Sequence, residues 1–180
     1  MLNTMIMKIM EIKLLKLLAS FFLILLIINM EKHLWGPAIW YFFHGIAEKI
    51  NPDKFLEQKN NLFEILNIVC DNLPCPDCSE HAISEIRKIN IQNITSKDLY
   101  KDLLLEFHNR VNVRLKTPKF TREQLDEKYK TINLNAVMHN FNIAYNSSVY
   151  NEKLLQNSFK KKINNAELYT RINNVLSCCI

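Results

Sequence analysis

Leu73-Pro74-Cys75-Pro76-Asp77-Cys78-Ser79-Glu80-His81 is the stretch on which the fold turns. It sets two thiols at Cys-x-x-Cys spacing, with a proline between them, at what reads as the start of a helix. Two thiols two residues apart can close a disulfide and reopen it, or can hold zinc. They can also be a chance pair of buried cysteines. The residues around the pair have to separate these three readings.

Downstream, Cys78 to Ile89 continues as a helix with Ala82, Ile83 and Ile86 on one stripe, and Cys78 and His81 share a side of it. Upstream, apolar positions from Phe55 to Val69 recur mostly at helical spacing, after an Asn51-Pro52-Asp53 break that can cap the helix. Before that break, Leu34 to Ile50 reads as a helix with Pro37 in its first turn and apolar residues around most of its circumference. Trp40 and His44 lie four apart on one of its faces. A histidine in so apolar a helix needs a polar partner or a polar ligand.

Beyond the Cys-x-x-Cys helix, Thr95-Ser96-Lys97-Asp98 is a helix-start signal, and a long helix runs from Leu99 to Leu115. His108, Asn109 and Asn112 cluster within one turn of it. Asn and His are mediocre helix formers, so the cluster is either a polar surface stripe or a binding feature. Thr117-Pro118 ends the helix, and Thr121 to Tyr129 reads as a short exposed one. Residues 133–180 form an Asn- and Lys-rich extension, with one or two further helices or loosely ordered chain, closing on Cys178-Cys179-Ile180.

Residues 1–29 stand apart. Lysines 8, 13 and 16 precede an apolar run from Leu17 to Ile28, shorter than the roughly 20 residues of a comfortable membrane span. The segment reads as a short signal-anchor, a cleaved signal, or an over-extended start with Met30 as initiator. An anchor would place residues 30–132, the main domain, on the far side of a membrane; a Met30 start would leave it cytosolic.

Composition narrows the function further. Two glycines in 180 residues, Gly36 and Gly45, exclude a glycine-rich phosphate loop, so any nucleotide-like cofactor must be held by side chains. A net charge of +5 is a solvated surface rather than a nucleic-acid footprint. Five cysteines, four of them in two close pairs, are too clustered for a secreted disulfide scaffold and suit a redox relay better. Cys70 reads as a buried core residue.

Three ordered motifs then converge: Trp35-Gly36-Pro37-Ala38-Ile39-Trp40 with Phe43-His44; Leu73-Pro74-Cys75-Pro76-Asp77-Cys78 with His81-Ala82; and Phe107-His108-Asn109-Arg110-Val111-Asn112 with Leu115, Pro118 and Phe120. In order and interval the chain resembles the Erv/ALR family of FAD-linked sulfhydryl oxidases, especially the compact members of large DNA viruses. The resemblance implies an all-α four-helix bundle with a short fifth helix around FAD. It implies an enzyme that oxidises protein dithiols and passes the electrons through flavin to oxygen, giving hydrogen peroxide. By that resemblance Cys78 lies against the flavin and Cys75 exchanges with substrate. Trp40 and His44 line the flavin site, and His108, Asn109 and Asn112 hold the adenosine and phosphate portion. Arg114 and Lys116 are phosphate partners, and Tyr129 stacks on adenine where the family often has tryptophan. Cys178-Cys179 is a candidate shuttle, able to form a vicinal disulfide, on a flexible tail. A homodimer and a thioredoxin-like intermediary are further partners the resemblance implies. The rival is a zinc module on Cys75, Cys78 and His81, with Cys70 or another residue as fourth ligand; no second Cys-x-x-Cys completes that site.

Overall fold

The computed structural model describes residue 10, residues 13–18, residue 20, residues 35–147 and residues 158–180. The apolar run from residue 21 to 28 and the Met30 start lie outside the described residues. Among the described residues no helix is long and apolar enough to cross a membrane. The chain divides into a unit up to Leu34 and a unit from Trp35 to Ile180. In the first, residues 13–18 are helical and exposed.

Among its described residues the second unit has helices and no strands, as expected. Its helices are α1 (35–49), α2 (Phe55–Asp71), α3 (Pro76–Ile86), α4 (Lys97–Leu115), α5 (Arg122–Tyr129), α6 (Leu134–Ser147) and α7 (Ser158–Leu176). Local chemistry sets their ends. Ser96 caps α4 by accepting from the Leu99 N–H, and Thr121 and Gln124 close a reciprocal capping box on α5. Pro76 opens α3, where its missing N–H costs nothing.

The core is built from α1 (Phe42, Ile46, Ala47), α2 (Phe55, Leu62, Leu66, Val69, with Cys70 buried beside them) and α4 (Tyr100, Leu104). Helices α6 and α7 do not hang off this core; they complete it. Phe141 of α6 is fully buried and stacks on Phe42 at 3.9 Å between ring centroids. Gly45 permits that approach, because a Cβ there would lie 3.2 Å from Ile132 Cδ1 and 3.7 Å from Val137 Cγ1. Helix α7 packs on α2 and buries Leu168, Ile172 and Val175 completely. Ile172→Ala is therefore expected to cost about 2–5 kcal/mol in urea denaturation, the range for a truncated core aliphatic. An appended tail would show almost no change.

Candidate active site

Cys75 and Cys78 are joined in a disulfide, with Cα atoms 5.1 Å apart. Cys75 is the N-cap of α3, and its carbonyl accepts from the N–H groups of Cys78 and Ser79. The pair therefore sits where a helix N-terminus favours a thiolate. Cys75 was expected to be the outward sulfur, but it is only 4% exposed, while Cys78 on the first turn is half-buried. Leu73, two residues before it, is itself packed against the core. In reduced single-cysteine variants, Cys78 of Cys75→Ser is expected to alkylate several-fold faster than Cys75 of Cys78→Ser, read by mass spectrometry. Equal rates would mean that the burial of Cys75 does not limit access to its sulfur.

Arg114, near the end of α4, donates to the Asp77 carbonyl at 3.1 Å and so ties the disulfide to that end of the helix. His108 lies six residues earlier, roughly 9 Å along the axis at 1.5 Å per residue. Its ring stacks face to face on Trp40, centroids 3.9 Å apart and planes within 5°. His108 Nδ1 and His44 Nε2 are 3.0 Å apart in a buried hydrogen bond, which requires one ring to donate and the other to accept. Burial above all, with mutual repulsion and Lys128 nearby, lowers His44 to about 3; burial and Lys128 lower His108 to about 4. Both imidazoles are neutral at physiological pH.

Tyr129 stacks on His44 at 4.9 Å and meets Tyr41 edge-on at 5.3 Å. Lys128 Nζ stands 4.9 Å from the Tyr41 ring, 5.2 Å from Phe120 and 5.4 Å from Tyr129, so three aromatic faces surround one ammonium. Trp40, His44, His108 and Tyr129, predicted from three separate places in the chain, thus form one continuous aromatic and imidazole wall.

The two asparagines bond to the chain itself. Asn109 donates to the Phe120 carbonyl at 2.8 Å and accepts from the Phe120 N–H at 2.8 Å, and Asn112 donates to the Pro118 carbonyl at 2.9 Å. Their amides clamp the 117–121 loop to α4 and so set Phe120 beside His108, 5.2 Å between centroids. Lys116 is the C-cap of α4, exposed, with φ 57° in the left-handed region where glycine is the usual choice.

Sequence reasoning missed the charges that hold α5 in place. Lys101 Nζ lies 2.6 Å from both Glu48 of α1 and Asp126 of α5, and Arg122 pairs with Asp98, Asp102 and Asp126. Glu48 does follow His44 by four residues on the same face of α1, a spacing that could have flagged it.

The C-terminal thiols are not on a free arm. Asn51 N–H donates to the Cys178 carbonyl at 2.9 Å, Ile180 N–H donates to the Lys49 carbonyl at 2.8 Å, and Cys179 bridges Ile50. Both thiols are unpaired and half-buried, and burial pushes Cys179 up to about 11. Lys97, at the start of α4, donates to the Glu48 carbonyl at 2.6 Å, next to the Lys49 that Ile180 bonds, whereas Arg114 donates to Asp77 inside the Cys75–Cys78 loop. Seventeen residues of helix, roughly 25 Å, lie between those two anchors. The bridge to Ile50 holds in place a tail that was expected to be flexible, and the two thiols are not joined to each other.

Among the described residues, no group of His, Cys, Asp and Glu side chains could hold a metal ion. With Cys75 and Cys78 joined to each other, the zinc reading lacks a ligand set.

The sequence pattern of the Erv1 / Alr family matches residues 37–130, more than half of the chain. A protein of Invertebrate iridescent virus 6 with the provisional name FAD-linked sulfhydryl oxidase is 28% identical over 110 residues, covering 57% of this chain and 97% of that one. The FAD-linked sulfhydryl oxidase of African swine fever virus is 28% identical over 104 residues, covering 57% and 86% respectively. An FAD-linked sulfhydryl oxidase of Arabidopsis thaliana is 29% identical over 94 residues, covering 52% and 49%. No solved structure matches the chain significantly.

Proposed function

The chain belongs to the Erv1/Alr family, and we propose that its Cys75–Cys78 disulfide is the redox centre of a flavin-linked thiol oxidase. The enzyme makes disulfides in protein substrates and passes the electrons to oxygen, giving hydrogen peroxide. The single observation that carries the assignment to these residues is a disulfide at a helix N-terminus, tied by Arg114 to the helix that bears the His108–Trp40 stack.

The donor set suits FAD. Trp40, Phe120 and Tyr129 offer aromatic faces, the neutral His44–His108 pair offers hydrogen bonds without charge, and Lys128, Arg114 and Lys116 offer cations for a pyrophosphate. The glycine-poor chain binds by side chains, as its composition requires. When bound, FAD supplies the two-electron acceptor that a dithiol needs and the outlet to oxygen. Asn109 and Asn112 contribute through the loop they clamp rather than by direct contact alone.

The protein's own steps are thiol chemistry. A substrate thiolate attacks Cys75, Cys78 leaves as thiolate, and a mixed disulfide forms. A second substrate thiolate attacks the substrate sulfur of that bond, so the product disulfide departs and Cys75 and Cys78 are both reduced. Because Cys75 is buried, its surroundings must yield for the first attack. The α3 N-terminus stabilises the thiolates that result.

Homodimerisation and delivery through a thioredoxin-like intermediary belong to the same proposal. The iridescent virus and African swine fever virus relatives support a setting in a virus-infected cell. The test is direct. Purified protein should be yellow, release FAD on denaturation, and consume oxygen with dithiothreitol; a colourless protein inert toward dithiothreitol and oxygen, even after incubation with FAD, overturns the reading.

A further inference from the structure

The junction between α1 and α5 has two tiers. On the first, Tyr129 of α5 stacks on His44 of α1, 4.9 Å between ring centroids, and meets Tyr41 edge-on at 5.3 Å. On the second, one helical turn further along α1, Glu48 faces Asp126 of α5 across the ammonium of Lys101, which lies 2.6 Å from an oxygen of each. Glu48 follows His44 by four residues and Asp126 precedes Tyr129 by three, so each helix sets its ring and its carboxylate on one face. Among the described residues, Lys101 of α4 is the only cation whose side chain pairs with the Glu48 carboxylate.

A lysine is almost never deeply buried unless it is paired, and the Lys101 side chain is only 15% exposed. Burial works against its charge, but the bonds to Asp126 and Glu48 outweigh burial and hold the ammonium above its ordinary value. The positive charge is therefore permanent at physiological pH. Arg122 also reaches Asp126, but it is shared with Asp98 and Asp102, and among the described residues it pairs with no carboxylate of α1. Helix α5 needs an anchor of this kind, because only Leu125 and Tyr129 of its eight residues are buried. Without Lys101, Glu48 and Asp126 would set one carboxylate against another, and the repulsion would drive α5 off α1.

Resting on the oxidase reading, we propose that Lys101 is a positioning residue of the cofactor site: it draws α5 onto α1, fixes the Tyr129 ring and the adjacent Lys128 in place, and so governs how firmly FAD is retained. Tyr129 and Lys128 are what α5 offers the cofactor, an aromatic face and a cation 5.4 Å from it. Lys101 acts on them through Asp126, one turn away on the same helix. It takes no part in electron or proton transfer.

The experiment follows FAD release from the full loaded chain after dilution into flavin-free buffer, by flavin fluorescence, at low and high salt. Lys101→Met is expected to release FAD on the order of 10-fold faster than wild type, the scale of coupling within one charge network. Adding Asp126→Asn to that variant is expected to slow release again, because the repulsion goes with the charge. Lys101→Arg keeps the cation and is expected to stay near wild type. Salt is expected to speed release less in Lys101→Met than in wild type, since what remains to be screened between α1 and α5 is repulsion rather than attraction. A merely structural lysine would give neither the rescue by a second substitution nor the altered salt dependence. Glu48→Gln, which removes the α1 partner and leaves Lys101 on Asp126, is also expected to release FAD faster, and it decides the matter if Lys101→Met does not fold. A further measurement needs no flavin: amide hydrogen exchange of α5 should be faster in both cofactor-free variants, with α6 and α7 unchanged. Release rates, salt dependence and α5 exchange equal to wild type overturn the assignment. A wild-type chain that takes up no FAD sinks the oxidase reading instead, and the exchange measurement still judges the hold of Lys101 on α5.

Discussion

Cys78→Ser is expected to lower thiol-oxidase turnover by at least about 10³-fold while the protein stays folded and yellow. Electron removal from a dithiol requires two sulfurs, and a serine hydroxyl cannot take the second place. The geometry limits collateral damage. Cys78 is half-buried at the start of α3, its N–H bond to the Cys75 carbonyl is a backbone bond, and serine is nearly isosteric. The lost cross-link closes a very short loop, worth about 2 kcal/mol by the chain-entropy estimate. A few degrees in melting temperature is therefore the whole expected structural cost. The remaining Cys75 thiolate should attack oxidised glutathione, release one glutathione thiolate, and stay trapped as a mixed disulfide because no neighbouring thiol resolves it. Cys75→Ser should be equally slow on protein thiols, yet leave the half-buried Cys78 as the trapping sulfur. Normal turnover in Cys78→Ser would remove the Cys75–Cys78 pair from the mechanism altogether.

What could be read from the chain divides along a physical line. Features decided within one turn of helix were legible: the Ser96 cap, the Thr121 helix start, Pro76 at the head of α3, and Trp40 above His44 on α1. So was the burial of Cys70, which lies on the apolar side of α2. The catalytic pairing and the cofactor class entered through three motifs whose order matched a family. Features decided by how helices rotate against each other were not legible. Lys101 finds Glu48 and Asp126 at separations of 53 and 25 residues, and no local pattern announces either. Asn109 looked like a ligand donor because a polar side chain mid-helix needs a partner; the partner proved to be the Phe120 backbone. The tail misled for the same reason. Cys178-Cys179 is short and terminal, and only the antiparallel bridge to Ile50 shows that it is held. The exposure of Cys75 depended on how the start of α3 packs into the fold, a matter of tertiary packing.

Acid is expected to destabilise this protein well before its carboxylates protonate. His44 and His108 have folded-state values of about 3 and about 4 against an ordinary 6.5, with burial the principal cause in each. The unfolded chain therefore binds protons that the folded chain refuses. Stability rises with pH wherever the unfolded state holds more protons, so this contribution is complete above about pH 7 and drains away as pH falls through 6.5 toward 4 and 3. By pH 5 the loss is roughly 2 kcal/mol per histidine, at 1.36 kcal/mol for each unit below 6.5. Two such losses approach the lower end of a domain's whole stability. The hydrogen bond reinforces the effect: a doubly protonated pair would set two N–H groups against each other at 3.0 Å. Urea unfolding at pH 7 and pH 5, with flavin content held constant, is the measurement. The midpoint should fall steeply in the wild type, and His108→Phe should remove about half of the slope, because a phenyl ring keeps the Trp40 stack but binds no proton. A wild-type midpoint unchanged between those two pH values would mean that the pair accepts a proton inside the fold. The neutral state that burial imposes on His44 and His108 would then be lost without loss of the fold.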